Sequence, residues 1–126
     1  MNSRFLTLAE VTEVAAIAFG GDAEPELRAP GLLESAVHRP RARMFGRSAY
    51  EDLHEQAAAL LHAVATNHPF VDGNKRAAWL SAAVFLAVNG VDLADVDQDR
   101  AYALVIDVAG GALGDIPGIA ERLRGL

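Results

Sequence analysis

Residues 77–88, AAWLSAAVFLAV, are apolar on nearly every side of a helix. Such a helix must be enclosed, either by other protein or by lipid. The most apolar part, Ala82 to Val88, is too short and too closely flanked by charge to span a bilayer. The rest of the chain must therefore wrap around it. The spacing predicts a helix that starts within Asp72 to Lys75, runs through Asn89 and turns at Gly90.

The wrapping elements also read as helices, because apolar spacing is helical nearly everywhere and strand-like alternation is scarce. A first helix is expected from Leu8 to Phe19, opened by a Thr7–Glu10 capping box and stopped by Gly20 and Gly21. GDAEPELRAPG reads as a loop broken by Pro25 and Pro30. Pro30 can open a short second helix that Pro40 ends. Residues 40–48, PRARMFGRS, have no helical face and read as an exposed flap or small hairpin. A third helix, from Glu51 to Ala65, places Leu53, Ala57, Leu60, Leu61 and Val64 on one stripe and ends at Asn67-His68-Pro69. DQDRAYALVIDVAGG and IPGIAERLRGL complete an all-α bundle of about six helices around a central buried helix. With no repeat and no long linker, residues 1–126 read as one domain.

Composition excludes several functions. The chain has no cysteine, so thiolate metal sites, disulfides and cysteine nucleophiles are ruled out. Net charge is -6, the wrong sign for a protein whose main partner is a nucleic-acid backbone. Acids stand near the N-terminus where a signal peptide needs an apolar run, so the cytoplasm is the expected compartment. The acids Asp92, Asp95, Asp97 and Asp99 read first as a solvated surface. His54-Glu55 begins like a zinc-protease helix, but Ala58 stands where the second histidine is needed. No P-loop spacing surrounds Gly73, and His38, His54 and His62 are given no function.

HPFVDGNKR, residues 68–76, does not fit this background. It joins two apolar helices, and its last residues form the start of the central one. The first backbone N–H groups of a helix have no internal partners, and the peptide dipoles add partial positive charge there, so the start suits a phosphate. Gly73 lets a ligand approach the backbone; Asn74 can donate an amide N–H; Lys75 and Arg76 add full charges. Asp72 would repel phosphate unless Mg²⁺ lies between them, since that cation takes few carboxylates and fills its sphere with phosphate oxygens and water. His68 can accept a proton near neutral pH. Phe70 alternates with His68 and Asp72, so it can anchor the loop in the core while its neighbours face a ligand.

The stretch resembles the motif of the Fic/Doc family, His-x-Phe-x-Asp/Glu-Gly-Asn-x-Arg. GLLESAVHRP, the flap, EQAAALLHAVATNHPF and AVFLAVNG are similar to the Doc (death-on-curing) branch, and the likeness runs from about Leu6 to beyond Gly90. The resemblance implies a catalytic set of His68, Asp72, Asn74, Lys75 and Arg76. Within it, His68 is the general base, Asp72 the Mg²⁺ ligand, and Gly73, Asn74, Lys75 and Arg76 hold the phosphates of ATP. Phe70 is the implied structural anchor. Arg41, Arg43, Met44 and Phe45 belong to a flap that would hold the target segment by backbone pairing.

Position 75 bears on which phosphate moves. Adenylylating Fic enzymes resemble GNGR here, whereas this chain has GNKR, and Doc-type proteins are similar in carrying Lys at this position. The resemblance therefore implies transfer of the γ-phosphate to a Ser or Thr hydroxyl, with elongation factor Tu as target and arrest of translation. AMP transfer is the alternative, because Gly73 is closer to the adenylylating pattern; a catalytically silent peptide-binding module is the second. No internal inhibitory helix of the Ser/Thr-x-x-x-Glu type is found. The implied control is by an antitoxin whose disordered tail folds onto the toxin.

Overall fold

A computed structural model describes residues 3–21 and 25–126, so the part of the predicted 21–31 loop at residues 22–24 lies outside the described residues. Six helices form among them: α1 (Leu8–Ala18), α2 (Pro30–His38), α3 (Leu53–Asn67), α4 (Asn74–Val88), α5 (Gln98–Ala109) and α6 (Ile116–Arg124). Most boundaries follow local chemistry. The Thr7 hydroxyl accepts from the Glu10 N–H at 3.1 Å and the Glu10 carboxylate accepts from the Thr7 N–H at 2.9 Å, closing the capping box. Asp52, Asp97 and Asp115 accept from backbone N–H groups in the first turns of α3, α5 and α6. Each such cap is worth about 1 kcal/mol. Asp97, taken above as plain surface charge, thus starts a helix. Pro30 sits in the first turn of α2, where its missing N–H costs nothing.

Pro40 ends α2 in a 3-10 turn, Arg39–Arg41. The predicted flap follows as an antiparallel hairpin of two short strands, β1 (Arg43–Met44) and β2 (Arg47–Ser48), with Arg43 opposite Ser48 and Met44 opposite Arg47. Its tip, Phe45-Gly46, has φ of +52° and +76°, the left-handed pair that a tight two-residue hairpin turn requires.

The central position belongs to α3 more than to α4. α3 packs against α2, α4, α5 and α6, and nearly every residue from Gln56 to Ala65 is buried. Its alanines at 57, 58, 59, 63 and 65 let neighbouring axes approach from several sides. α4 packs against α1, α3 and α5; Leu80, Ala83 and Val84 are only partly covered, and Ala87 and Val88 are exposed. All-round apolarity therefore overstated how enclosed α4 is. α3 also starts two residues later than expected, at Leu53, because Asp52 is a better cap than Glu51, and runs on to Asn67. Phe5 stacks on Phe85 of α4 with ring centroids 6.1 Å apart, which fastens the N-terminal segment to the bundle.

Candidate active site

The loop between α3 and α4 runs from His68 to Gly73, so two buried helices fix both of its ends. Pro69 and Phe70 turn inward, with Phe70 1% exposed; His68, Val71 and Asp72 face solvent. Phe70 is thus buried between two exposed neighbours, His68 and Asp72, as expected. Burying a phenylalanine contributes roughly 1.5–3 kcal/mol, enough to commit the loop to one face.

Gly73 is the N-cap of α4 at φ +80° and makes no side-chain cap. Two constraints demand glycine there. A side chain would be strained at that φ, and an added Cβ would lie 2.2 Å from Cε1 of Phe19. Phe19 follows α1 and meets Phe70 edge-on at 5.4 Å, so the ring beneath the helix start is itself wedged in place. Beyond Gly73, the backbone N–H groups of Asn74, Lys75 and Arg76 have no hydrogen-bond partner among the described residues. Three adjacent donors at the positive end of a 15-residue helix make the anion cradle.

The side chains around it divide into two groups. Lys75 and Arg76 are exposed, although one arm of Arg76 donates to the Ala18 carbonyl at 3.2 Å and steadies the guanidinium against α1. Asp72 accepts from the Gly73 N–H at 2.8 Å through Oδ1, leaving Oδ2 without a protein partner among the described residues. Asn74 has a use that was not expected. Its Oδ1 accepts from the Phe70 N–H at 2.9 Å and its Nδ2 donates to the Phe70 carbonyl at 3.0 Å, so the side chain staples the loop and its backbone N–H belongs to the cradle.

His68, Asp72, Gly73, Asn74, Lys75 and Arg76 line one cavity of about 450 Å³. The rest of its wall comes from Val71, Trp79 and, on α5, Gln98, Ala101, Tyr102 and Val105. Sequence reasoning missed that wall. The only signal was the spacing 98, 101, 102, 105, which puts four residues on one face of α5. It also missed the strip at residues 26–28, which pairs with the loop: the Arg28 N–H donates to the Pro69 carbonyl at 2.8 Å and the Val71 N–H to the Glu26 carbonyl at 3.0 Å.

None of the four flap residues lines this cavity. Met44 is 61% exposed and Phe45 fully so, free to meet another chain. Arg43 instead donates to the Gly46 carbonyl within the hairpin. Arg41 lies outside the hairpin, in the 3-10 turn; it donates to the Leu6 carbonyl at 3.2 Å and stacks over Phe5 at 5.1 Å. Those contacts make Arg41 a fastener of the N-terminal segment.

A metal would have to share its sphere with a ligand, since no group of three or more histidine or acidic side chains capable of holding one exists among the described residues. One free carboxylate oxygen beside a phosphate cradle suits a Mg²⁺–nucleotide. No helix among the described residues is long and apolar enough to cross a membrane.

Comparison with known proteins agrees with the arrangement. A family model described as the Fic/DOC family matches residues 5–86. A protein named Toxin Doc from Mycolicibacterium smegmatis is 47% identical over 124 residues, covering 98% of this chain and 93% of that protein. One named Protein kinase doc, from Escherichia phage P1, is 38% identical over 105 residues, covering 81% of this chain and 78% of its own length.

Proposed function

The chain belongs to the Fic/Doc family, and on that premise we propose that it is a toxin that transfers the γ-phosphate of ATP to a Ser or Thr hydroxyl of a protein target. The observation that carries this reading is the joint lining of one cavity by His68, Asp72, Lys75, Arg76 and three free helix-start N–H groups. A transferring phosphoryl group needs chiefly positioning and charge neutralisation. The cradle and Lys75 would hold the terminal phosphate. Asp72 would hold Mg²⁺, which neutralises phosphate charge when bound. The target hydroxyl attacks the γ-phosphorus as the bond to the β–γ bridging oxygen breaks; its proton passes to His68, and ADP leaves. A general base of this kind contributes about 10²–10⁴ in rate.

Lys75 favours γ-transfer over AMP transfer, because its stem fills the space beside the helix start and its ammonium can meet a terminal phosphate. Gly73 had pointed the other way. Its φ and the Phe19 ring account for glycine whatever the reaction, which removes that argument.

Elongation factor Tu is the target to test first. The partner would be an antitoxin with a disordered tail, neutralising the toxin when co-expressed. Purified protein, Mg²⁺ and a bacterial lysate should label a protein from γ-labelled ATP and not from α-labelled ATP. His68→Ala should reduce labelling by about 10²-fold or more. Label from the α position would replace the kinase reading with AMP transfer. No label from either would leave a binding module.

A further inference from the structure

We propose that Arg28 is the positioning residue that aims His68 at the cavity, an inference that rests on the phosphotransfer reading for its catalytic meaning. His68 ends α3 at φ +50°, ψ +57°, a left-handed conformation that non-glycine residues seldom adopt. Pro69 bars a helical conformation at His68, but none of the hydrogen bonds made inside the loop reaches the peptide planes on either side of it. The Arg28 guanidinium does: Nε donates to the His68 carbonyl and Nη2 to the Asn67 carbonyl, both at 2.9 Å.

The geometry of those two bonds is specific. The Asn67 carbonyl belongs to the peptide plane before the His68 Cα, and the His68 carbonyl to the plane after it. The relative orientation of these planes is set by φ and ψ of His68 alone. A rigid, planar fork that holds both carbonyls therefore holds both angles, and with them the direction of the Cα–Cβ bond. Lysine offers a point charge on a flexible stem and cannot fix two planes. The main-chain bonds between residues 26–28 and 69–71 are independent of the side chain. Truncating Arg28 should thus leave the loop paired while freeing the peptide planes around His68.

The test compares wild type, Arg28→Lys and Arg28→Ala, with and without added guanidinium ion at non-denaturing concentration. For γ-phosphate transfer, Arg28→Ala should lower kcat about 10²-fold, the size of effect expected when a reacting group is displaced by about 1 Å. The KM for Mg-ATP should stay near its wild-type value, because the cradle is untouched. Guanidinium should restore part of the loss, and Arg28→Lys should fall in between. An unchanged kcat in Arg28→Ala, or a loss that guanidinium does not restore, overturns the proposal. Imidazole NMR signals, assigned by their loss in His68→Ala, give a readout that needs no turnover. One defined His68 environment in wild type should become shifted and averaged in Arg28→Ala. Unchanged signals overturn the proposal even if wild type transfers no phosphate, which would itself sink only the phosphotransfer reading. Should Arg28→Ala fail to fold, the same comparison is made with Arg28→Lys.

Discussion

Replacing Gly73 by alanine should destabilise the protein by roughly 2–5 kcal/mol, through two separable effects. The first is backbone strain: φ is +80°, and a residue with a Cβ in left-handed geometry costs about 1–2 kcal/mol. The second is contact with Phe19, whose ring atoms Cε1, Cζ and Cδ1 would lie 2.2, 2.8 and 2.9 Å from the new Cβ. The ring is only partly buried and can swing away, but doing so breaks its edge-on contact with Phe70, worth about 0.5–1.5 kcal/mol, and disturbs the packing around it. Overpacking of this kind costs about 1–3 kcal/mol. Urea unfolding of wild type, Gly73→Ala, Phe19→Ala and the double variant separates the two effects. Without the ring, Gly73→Ala should cost only the strain, so the cycle should give a coupling of about 1–3 kcal/mol. Equal costs in both backgrounds, within about 0.5 kcal/mol, would refute the Phe19 argument; no cost in either would refute the strain as well.

Two further expectations concern stability. His62 and His54 are both held below the ordinary imidazole value of 6.5 by burial, and for His62 the Arg39 guanidinium, 2.6 Å from Nδ1, adds repulsion. Well above 6.5 both are neutral folded and unfolded; as pH falls through 6.5 the unfolded chain takes up protons first, so stability should fall as pH drops below about 6.5. Urea midpoints should show this decline, and His62→Gln should flatten it; an undiminished slope would remove His62 from the account. Ser81 is fully buried in α4 and its hydroxyl has no partner among the described residues, so Ser81→Ala should stabilise by about 1 kcal/mol, seen as a higher urea midpoint with an unchanged m-value.

What could be read from the sequence was what is local. The capping box at Thr7, the proline that opens α2, the hairpin over residues 43–48 and the inward turn of Phe70 each depend on neighbours within a few positions. The helix-start cradle is local too, because the donors at residues 74–76 are free by virtue of where α4 begins. The staple from Asn74 to the Phe70 backbone four positions earlier was missed, since spacing alone does not show where an amide finds its partners. The rank of α3 over α4 was missed because apolar surface says how much of a helix wants cover, not how many neighbours reach it. Arg41 belonged by sequence to an arginine cluster and by structure to Phe5 and Leu6, some 35 positions away.

The two functions proposed for the site therefore have different origins in the chain. The proposed phosphate cradle lies at one helix start, within residues 72–76. The direction of the base is different. Pro69 only bars helical geometry at His68, and the groups that hydrogen-bond both of its peptide planes come from residue 28, forty positions away. Phe19, which makes glycine necessary at 73, comes from the end of α1. On the proposed reading, the motif and the end of α1 together build the phosphate cradle, and the strip at 26–28 directs the proposed base beside it. By this reasoning, changes at Arg28 reach the transfer step and spare nucleotide binding, whereas changes at Gly73 reach the cradle and the fold together.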